Sequence, residues 1–327
     1  MSRLALAHVR GWASFHSLAS PMTTASDRHT SLHAHALGVL PDDVVTAAAT
    51  DALQLRPEAY TAAYEEYSVG SWALAPLWSD PSGDASGESR EHGDPAIPIP
   101  TAAHLSGINA LVSEYFDTTR VRGVRLFSAS HGALIIPHAD YLEHRNGFTR
   151  MHVPLVTDPA QARSTEGDIC YHMRRGEVWF LDGHQVHSAG VVGPSLRLHL
   201  VLDFSHDTAP EETLAREIAA AEEPLLIDRS PLPPDLIRSY LALAPFIDAA
   251  AWRDLVHILA RVHLRYDVPT KTVYDWLEMI ASASTGPDHD ILVRDAERMK
   301  RYFISDGPGS TTTYEALWSD ALAESSP

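Results

Sequence analysis

Between residues 121 and 204 the chain alternates short β-type runs with breaks at glycine, proline, aspartate and asparagine, and this pattern restricts the fold most. Several runs place apolar and polar residues with period two, as half-buried antiparallel strands do. Many short strands with turns between them favour a sandwich or a jelly roll. The runs are VRGVRLFSA, ALIIPHADYL, FTRMHVPLVT, DICYHM, GEVWFLDG, HSAGVV and LRLHLVLDF.

The regions on either side of this β-rich part have a different texture. Before it, the sequence predicts a strand within 32–40, a helix that begins near Pro41, a strand within 64–78 with a Gly-Ser turn, and a helix over roughly 101–116. After Phe204, apolar residues recur at helical spacing. The helical runs are APEETLAREIAAAEEPL, AAAWRDLVHILARVHLRY, TKTVYDWLEMIASAS and HDILVRDAERMKRYF.

We therefore divide the chain into four parts. The composition of residues 1–30, with no acidic residue before Asp27, is loosely similar to that of a transit peptide. The alternative, which we adopt, is that residues 1–31 form a disordered extension. Residues 32–205 form the core, residues 206–310 a helical subdomain, and residues 311–327 a loose tail.

Charge and composition exclude several classes of partner. The chain has 43 Asp and Glu against 25 Lys and Arg, and its formal net charge of −18 argues against a nucleic acid or an anionic membrane surface. Cys170 is the single cysteine, so an intramolecular disulfide is impossible. The sequence has no run of 18 apolar residues, so we expect no transmembrane helix and a cytoplasmic location.

A set of polar residues on the β-type runs indicates a metal site. His138 and Asp140 are two apart in IIPHADYLEH and would share one face of a strand. Together with His187 they supply two imidazoles and one carboxylate, a facial set that suits Fe(II) and leaves three positions open. Arg197, ten residues beyond His187, offers a planar guanidinium that matches the distal carboxylate of 2-oxoglutarate.

The specificity of this pattern comes from its combination. An isolated H-x-D is weak in a chain with 19 histidines, and His289 in PDHDIL is a second example in a helical context. The full series of H-x-D, a distal histidine and an arginine ten residues later, each on a predicted strand, is much stronger.

The stretches IIPHADYLEH, FTRMHVPL, YHMRRGEVWFLDG, HSAG and RLHLVLDF resemble the bacterial free-proline hydroxylases. That family includes proline cis-4-, proline cis-3- and pipecolate hydroxylases, and belongs to the aspartyl/asparaginyl β-hydroxylase fold group. The similarity extends from about residue 33 to about residue 304. It implies a mainly β core with a double-stranded β-helix of the jelly-roll or cupin type, followed by the C-terminal helical subdomain.

The resemblance also implies an activity. His138, Asp140 and His187 would be the iron ligands and catalytic residues, and Arg197 would hold 2-oxoglutarate. Dioxygen would be the second co-substrate, with ascorbate as a reductant in vitro. 2-Oxoglutarate would be decarboxylated to succinate while one oxygen atom enters an unactivated C–H bond of a free L-amino acid, L-proline or an analogue such as L-pipecolate.

Other site residues follow from the same motifs. Arg150 and His152 share a strand face and match an R-x-H pair of the fold group that contacts a co-substrate or substrate carboxylate. Ala139 departs from the family, in which arginine stands at this place, and the loop over 79–98 is long. Both departures leave the identity of the substrate open.

Substrate contacts are predicted with less support from the motifs. Arg125 is our candidate for the substrate carboxylate, Trp72 for a wall against the ring, and His172 for a further lining residue. Each has a plain structural alternative, as a surface arginine, a core aromatic residue or a core histidine. Glu143 and His144 resemble iron ligands by type, but we place them on a solvated loop.

Three alternatives remain open from the sequence. A metal-dependent cupin that is not an oxygenase, such as an isomerase or epimerase, would use the same barrel without needing Arg197. A jelly-roll binding module would carry these polar residues without catalysis. A third alternative is a hydroxylase of a residue within a peptide, although the helical region is similar to that of the small-molecule enzymes. The helical region could also form the face of a homodimer.

Overall fold

The fold is described by a computed structural model that covers residues 32–61, 67–81, 92–140 and 148–305. The predicted extension over 1–31, the tail over 311–327, Glu143, His144 and residues 82–91 of the 79–98 loop lie outside these residues. The strands are β1 His35–Val39, β2 Ser68–Ser79, β3 Ile97–Pro98, β4 Val121–His138, β5 Thr149–Val156, β6 Ala162–Glu166, β7 Ile169–His172, β8 Glu177–Leu181, β9 His187–Val191, β10 Arg197–Phe204 and β11 Leu225–Leu226. The helices are α1 Asp42–Gln54, α2 Ser106–Tyr115, α3 Leu236–Leu241, α4 Ala249–Leu259, α5 Val262–Arg265, α6 Thr272–Ala283 and α7 His289–Lys300, followed by a π-helical turn at Arg301–Ser305.

The strands form one curled antiparallel sheet in the order β1-β8-β5-β10-β4-β9-β6-β7-β11, with β2 on β4 and β3 on β2. Strand β4 makes the sheet curl, because its first part pairs with β10 and its last part pairs with β9. This arrangement confirms the predicted jelly-roll-like barrel with helices. Its closure brings strand ends that are distant in sequence to one opening.

Two local predictions in this sheet are wrong. VRGVRLFSA and ALIIPHADYL were predicted as separate strands, but the first run and residues 133–138 of the second belong to the single strand β4, within which His131 and Gly132 have φ angles of 54° and 78°. The Gly-Ser pair in β2 is not a turn, because the strand continues through Gly70 (φ 77°) with only a shift of register between Val69 and Ser71. Left-handed residues therefore bend these strands without ending them.

The two faces of the sheet have opposite chemistry, as the period-two pattern predicts. On β5 and β10 one face is apolar and packs with α1 and α2 in the largest core cluster. The other face points toward the interior of the barrel and carries the polar residues of the motifs. The apolar set is Met151, Val153, Leu155, Leu198, Leu200 and Leu202, and the polar set on the same strands includes Arg150, His152 and Arg197.

The helices α4, α6 and α7 form a second core that also includes barrel residues. Trp252, Tyr274 and Leu277 pack in this cluster with Leu134 and Ile136 of β4. The helical region and the last part of β4 therefore share one hydrophobic core.

The segment just after Phe204 does not form the predicted helix. Residues 209–225 contain a 3-10 turn at Pro210–Thr213 and otherwise run over the surface of the core. Their backbone groups bond to other elements: Val39 N–H donates to the Ala219 carbonyl (2.8 Å), and Ala215 N–H donates to the Tyr115 carbonyl (2.9 Å). Tertiary contacts of this kind override a weak helical propensity. Among the described residues, no helix is long and apolar enough to cross a membrane.

Candidate active site

Two histidines and one aspartate meet at one end of the barrel. His138, the last residue of β4, pairs in register with His187, the first residue of β9, and their ring centroids are 4.4 Å apart. Asp140 lies just beyond the end of β4, with Oδ1 3.1 Å from His138 Nε2 and Oδ2 3.8 Å from His187 Nε2. One possible ligand atom from each residue lies within 4.8 Å of the others, and all three residues are buried. This spacing allows them to share one metal ion.

The hydrogen bonds of the two rings fix which nitrogen faces the centre. Nδ1–H of His138 donates to the Ile136 carbonyl and Nδ1–H of His187 donates to the Gln185 carbonyl, each at 2.8 Å. Since a carbonyl only accepts, each Nδ1 carries a proton and each neutral ring presents an Nε2 lone pair. Both lone pairs face the Asp140 carboxylate, which is also an acceptor. A cation between the three groups would compensate these facing acceptors, and a set of two imidazoles and one carboxylate suits Fe(II).

The backbone of Asp140 is held from the loop that precedes β9. Asp140 N–H donates to the Gly183 carbonyl at 2.6 Å. A Cβ atom at Gly183 would lie 2.8 Å from Asp140 Cβ and 2.9 Å from its Oδ2, closer than real Cβ atoms approach. The glycine therefore allows the two loops to come together at the carboxylate.

A buried network of charges extends from Asp140 away from the histidines. Arg150 donates through NH1 to Asp140 Oδ2 (2.6 Å) and through Nε to Asp203 Oδ1 (2.7 Å). Asp203 also accepts from Arg125 NH2, at 2.5 Å. Two guanidiniums and two carboxylates thus compensate one another in the interior, where an unpaired charge would be costly.

The same network keeps Asp140 ionised. Burial alone would raise the pKa of the Asp140 carboxyl, but the adjacent positive charge of Arg150 holds it well below its usual range. An ionised carboxylate is the form that binds a metal ion.

Arg197 lies in the same cavity in a different environment. The cavity opens to solvent, and the space free of protein atoms, counted together with this opening, is about 440 Å³. Arg197 is 2% exposed, and its guanidinium lies 5.8 Å from the centre of the Trp72 ring. Among the described residues, no carboxylate lies within ion-pair distance of it. Burial lowers the pKa of Arg197 to about 10, so the group stays charged at neutral pH.

Two further polar groups line the cavity near Arg197 without partners. In the described part of the chain, the two ring nitrogens of His152 have no hydrogen-bond partner, and the Tyr171 hydroxyl has none either. Burial, together with Arg150 and Arg197, holds the pKa of His152 well below its ordinary value, and burial raises the pKa of Tyr171. A neutral imidazole, a neutral phenol and an uncompensated guanidinium together form a site for a buried anion.

The predicted substrate residues occupy different positions. Trp72 lines the cavity and its ring lies 5.9 Å from that of Phe127. Arg125 and His172 are buried but are not among the lining residues; Arg125 contacts Asp203, and Nδ1–H of His172 donates to the Ala162 carbonyl at 3.0 Å. Their substrate roles remain predictions.

Two polar residues of the site were not found in the sequence. Asp203 follows Arg197 on the same face of β10, six residues later, so extending the period-two pattern to the end of the strand would have found it. Tyr171 was hidden because an isolated tyrosine in a strand is typical of a core.

Two family models match the chain. The aspartyl/asparaginyl β-hydroxylase model matches residues 47–207, and the model for the C-terminal part of L-proline 3-hydroxylase matches residues 212–308. The first match covers most of the barrel and the second covers the helical region. Together they define the class of this protein as a hydroxylase of the aspartyl/asparaginyl type with the C-terminal region of the proline enzymes.

Characterised relatives make the family more specific. L-proline cis-4-hydroxylase of Rhizobium meliloti (strain 1021) is 33% identical over 257 residues, which is 78% of this chain and 90% of that protein. L-proline cis-3-hydroxylase 1 of a Streptomyces species is 31% identical over 249 residues, covering 74% of this chain and 84% of that protein. A solved prolyl-4-hydroxylase of Pseudomonas putida aligns with 53% of this chain and 90% of that one, at a TM-score of 0.33 and 18% identity, which is too distant to support an argument. The chain belongs to the L-proline hydroxylase family, and the resemblance noted in its motifs is confirmed.

Proposed function

We propose that this protein is an Fe(II)- and 2-oxoglutarate-dependent hydroxylase of a free L-amino acid, either L-proline or a close analogue such as L-pipecolate. One observation carries the proposal. The buried guanidinium of Arg197, which has no counter-ion among the described residues, shares a cavity with His138 and His187 of the His138–Asp140–His187 cluster. A metal site beside an unpaired cation suits a co-substrate that chelates a metal at one end and carries a carboxylate at the other. A metal isomerase or epimerase would not need that cation.

His138 and His187 would hold Fe(II) through Nε2, and Asp140 through its carboxylate. When bound, the iron and 2-oxoglutarate supply oxidative decarboxylation and the insertion of one dioxygen-derived oxygen atom into a C–H bond. The protein keeps the imidazoles in the correct tautomer through Ile136 and Gln185, and it keeps Asp140 ionised through Arg150.

Arg197 would hold the distal carboxylate of 2-oxoglutarate, with the Tyr171 hydroxyl and a ring nitrogen of His152 as neutral partners. All three groups are already buried in the folded chain, so part of the desolvation that binding an anion requires has already taken place on folding. The formal net charge of −18 repels anions from the surface as a whole, so a local cation is needed for binding.

The rest of the cavity suits a small and partly apolar substrate. Trp72, Phe127 and Leu181 supply apolar wall that excludes water from the reacting carbon. The relatives are named for L-proline hydroxylation at carbon 4 or carbon 3, which supports a proline-like substrate. We keep Arg125 and His172 as proposed substrate-side residues and Arg150 as a second proposed carboxylate contact.

The test is to incubate the purified protein with Fe(II), 2-oxoglutarate, dioxygen, ascorbate and a panel of free amino acids. We expect L-proline or L-pipecolate to gain the mass of one oxygen atom, with succinate formed in equal amount. His187→Ala, which removes one iron ligand, serves as the inactive control. If succinate forms slowly while every amino acid remains unchanged, the oxygenase class stands and the proposed substrate is wrong. If neither product forms, the proposed function is wrong.

Three further parts of the proposal come from the sequence: a cytoplasmic location, no nucleic-acid partner, and a homodimer formed through the helical region. Light scattering on the purified chain tests the homodimer, for which we expect twice the mass of one chain. A monomer at all concentrations would contradict it.

A further inference from the structure

On the side of β2, strand β4 loses its pairing before the chain reaches the metal ligands His138 and Asp140. The pairing of β4 with β2 ends at Ile135 and Ser68, whereas on its other edge β4 stays paired with β9 as far as His138 and His187. Residues 136–140 therefore have no described strand partner on the β2 side. Buried backbone groups in such a segment need partners from elsewhere.

The helical region supplies those partners. The hydroxyl of Tyr274, on α6, donates to the Pro137 carbonyl. The Phe303 carbonyl, in the π-helical turn after α7, accepts from Ala139 N–H at 2.9 Å. Pro137 has no N–H of its own, and these bonds together with that from the His138 ring satisfy the Ile136 and Pro137 carbonyls and the Ala139 N–H.

Aromatic rings fill the same contact. The Tyr67 ring lies edge-on to the His138 ring at 4.9 Å and to the Phe303 ring at 5.0 Å. Tyr274 and Phe303 stack with their centroids 6.1 Å apart. Phe303 is fully buried and Tyr274 is 1% exposed, so neither contact competes with water.

We infer that the C-terminal helical region is a structural part of the metal site, with Tyr274 as a positioning residue that sets the orientation of His138 through the Pro137 carbonyl. The inference deepens the proposed function and rests on it, because it concerns the same three ligands. The helical region would then help to position a metal ligand, in addition to packing against the last part of β4.

Tyr274→Phe tests this assignment with the smallest change available. It removes one hydroxyl, keeps the ring that stacks on Phe303, and leaves the Pro137 carbonyl without its donor. Removing a group that orients a metal ligand typically weakens metal affinity about 10- to 100-fold, and we expect Tyr274→Phe to weaken it about tenfold. Tyr240→Phe, on α3 of the same helical region, is the matched control because Tyr240 packs against the same core without bonding to residues 136–140.

The experiment uses the full chain under anaerobic conditions and titrates it with Co(II), whose visible absorption reports its ligand geometry. We expect Tyr274→Phe to bind Co(II) about tenfold more weakly than wild type and with altered bands, while Tyr240→Phe matches wild type in both respects. Equal affinity and identical bands in Tyr274→Phe would overturn the inference alone. If wild type takes up no Co(II), both the proposed function and this inference are overturned.

A second measurement decides the matter if Tyr274→Phe does not fold. Amide hydrogen exchange of the wild-type chain reports on Ala139 directly, because its N–H is bonded to Phe303. We expect the Ala139 amide to exchange as slowly as the amides in the middle of β4. Exchange at the rate of an open loop would show that the helical region does not hold this segment.

Discussion

Arg150 and Arg197 line one cavity and are both buried, yet their electrostatic surroundings are opposite. Arg150 bonds to the carboxylates of Asp140 and Asp203, whereas Arg197 faces the Trp72 ring and has no carboxylate within reach in the described structure. A paired arginine fixes protein groups, because both partners gain from staying in place. An unpaired buried arginine costs stability in the free protein and regains it when an anion binds. The contrast therefore assigns Arg150 to the framework of the metal site and Arg197 to a ligand.

The largest effect on stability is expected from the charge network that pairs Arg150. Asp203→Asn removes the carboxylate that Arg125 and Arg150 share, so that Asp140, bonded to Arg150, is the one carboxylate of this buried network that remains. We expect a loss of about 3–5 kcal/mol in the free energy of unfolding, measured by urea denaturation. Asp207→Asn, on the exposed turn after β10, is the control and should leave the urea midpoint where it is. Equal midpoints for the two variants would show that the network does not stabilise the fold.

The unpaired side predicts the opposite behaviour. Arg197→Leu removes a buried charge that nothing described compensates, so the ligand-free protein should be as stable as wild type or more so. The KM for 2-oxoglutarate should rise about 100-fold or more, because a buried charge pair with the co-substrate is lost. Arg197→Lys should recover only part of the affinity, since a point charge replaces a planar fork. A large loss of stability in Arg197→Leu, with an unchanged KM, would remove the distinction between the two arginines.

Tyr171→Phe tests whether a neutral group without a partner, the Tyr171 hydroxyl, also serves ligand binding and not stability. The hydroxyl has no partner in the described structure, so its removal should not lower the stability of the ligand-free protein. A hydrogen bond to a charged carboxylate contributes about 1.5 kcal/mol or more, so we expect the KM for 2-oxoglutarate to rise about tenfold. Steady-state kinetics and thermal unfolding of the same preparation measure both quantities. A fall in stability without a change in KM would indicate that Tyr171 is only a core residue.

We expect acidic pH to lower the stability of the fold through His199, a buried histidine near Arg197. Burial, with the nearby charge of Arg197, holds the pKa of His199 well below 6.5 in the folded state. In the unfolded chain the imidazole takes up a proton below about pH 6.5, so stability is present above that pH and is lost as the pH falls. Each such histidine contributes a slope of about 1.4 kcal/mol per pH unit.

His199→Phe checks this pH dependence. Between pH 6 and pH 5 its unfolding free energy should fall less steeply than that of wild type, by the slope of about one proton. Above pH 7.5 the two slopes should agree. Identical slopes across the acidic range would mean that His199 is already protonated in the folded protein.

The sequence predicted the groups that follow a regular spacing. Period two along β5 and β10 identified Arg150, His152 and Arg197, because a strand converts sequence separation directly into a shared face. The H-x-D motif and His187 were also found, although Asp140 lies beyond the strand and is positioned by Gly183.

Groups that depend on tertiary packing were not predictable in this way. The period-two pattern of β10 extends to Asp203, but no local pattern shows its pairing with Arg125 and Arg150, which lie on other strands. Tyr274 lies 137 residues from the carbonyl it contacts, on a helix whose sequence indicates only an apolar face. The helix predicted over 209–225 was wrong for the same reason, because that segment bonds to β1 and to the end of α2.

The central claim is that His138, Asp140 and His187 bind one ferrous ion beside an arginine that holds 2-oxoglutarate. Anaerobic titration of the Fe(II)-loaded protein with 2-oxoglutarate, followed by visible absorption, tests it most directly. We predict a weak charge-transfer band that saturates at one 2-oxoglutarate per chain, needs far more 2-oxoglutarate in Arg197→Leu, and disappears in His187→Ala. A band that is absent from the wild-type protein at saturating Fe(II) and 2-oxoglutarate, or one that persists unchanged in His187→Ala, would contradict the account.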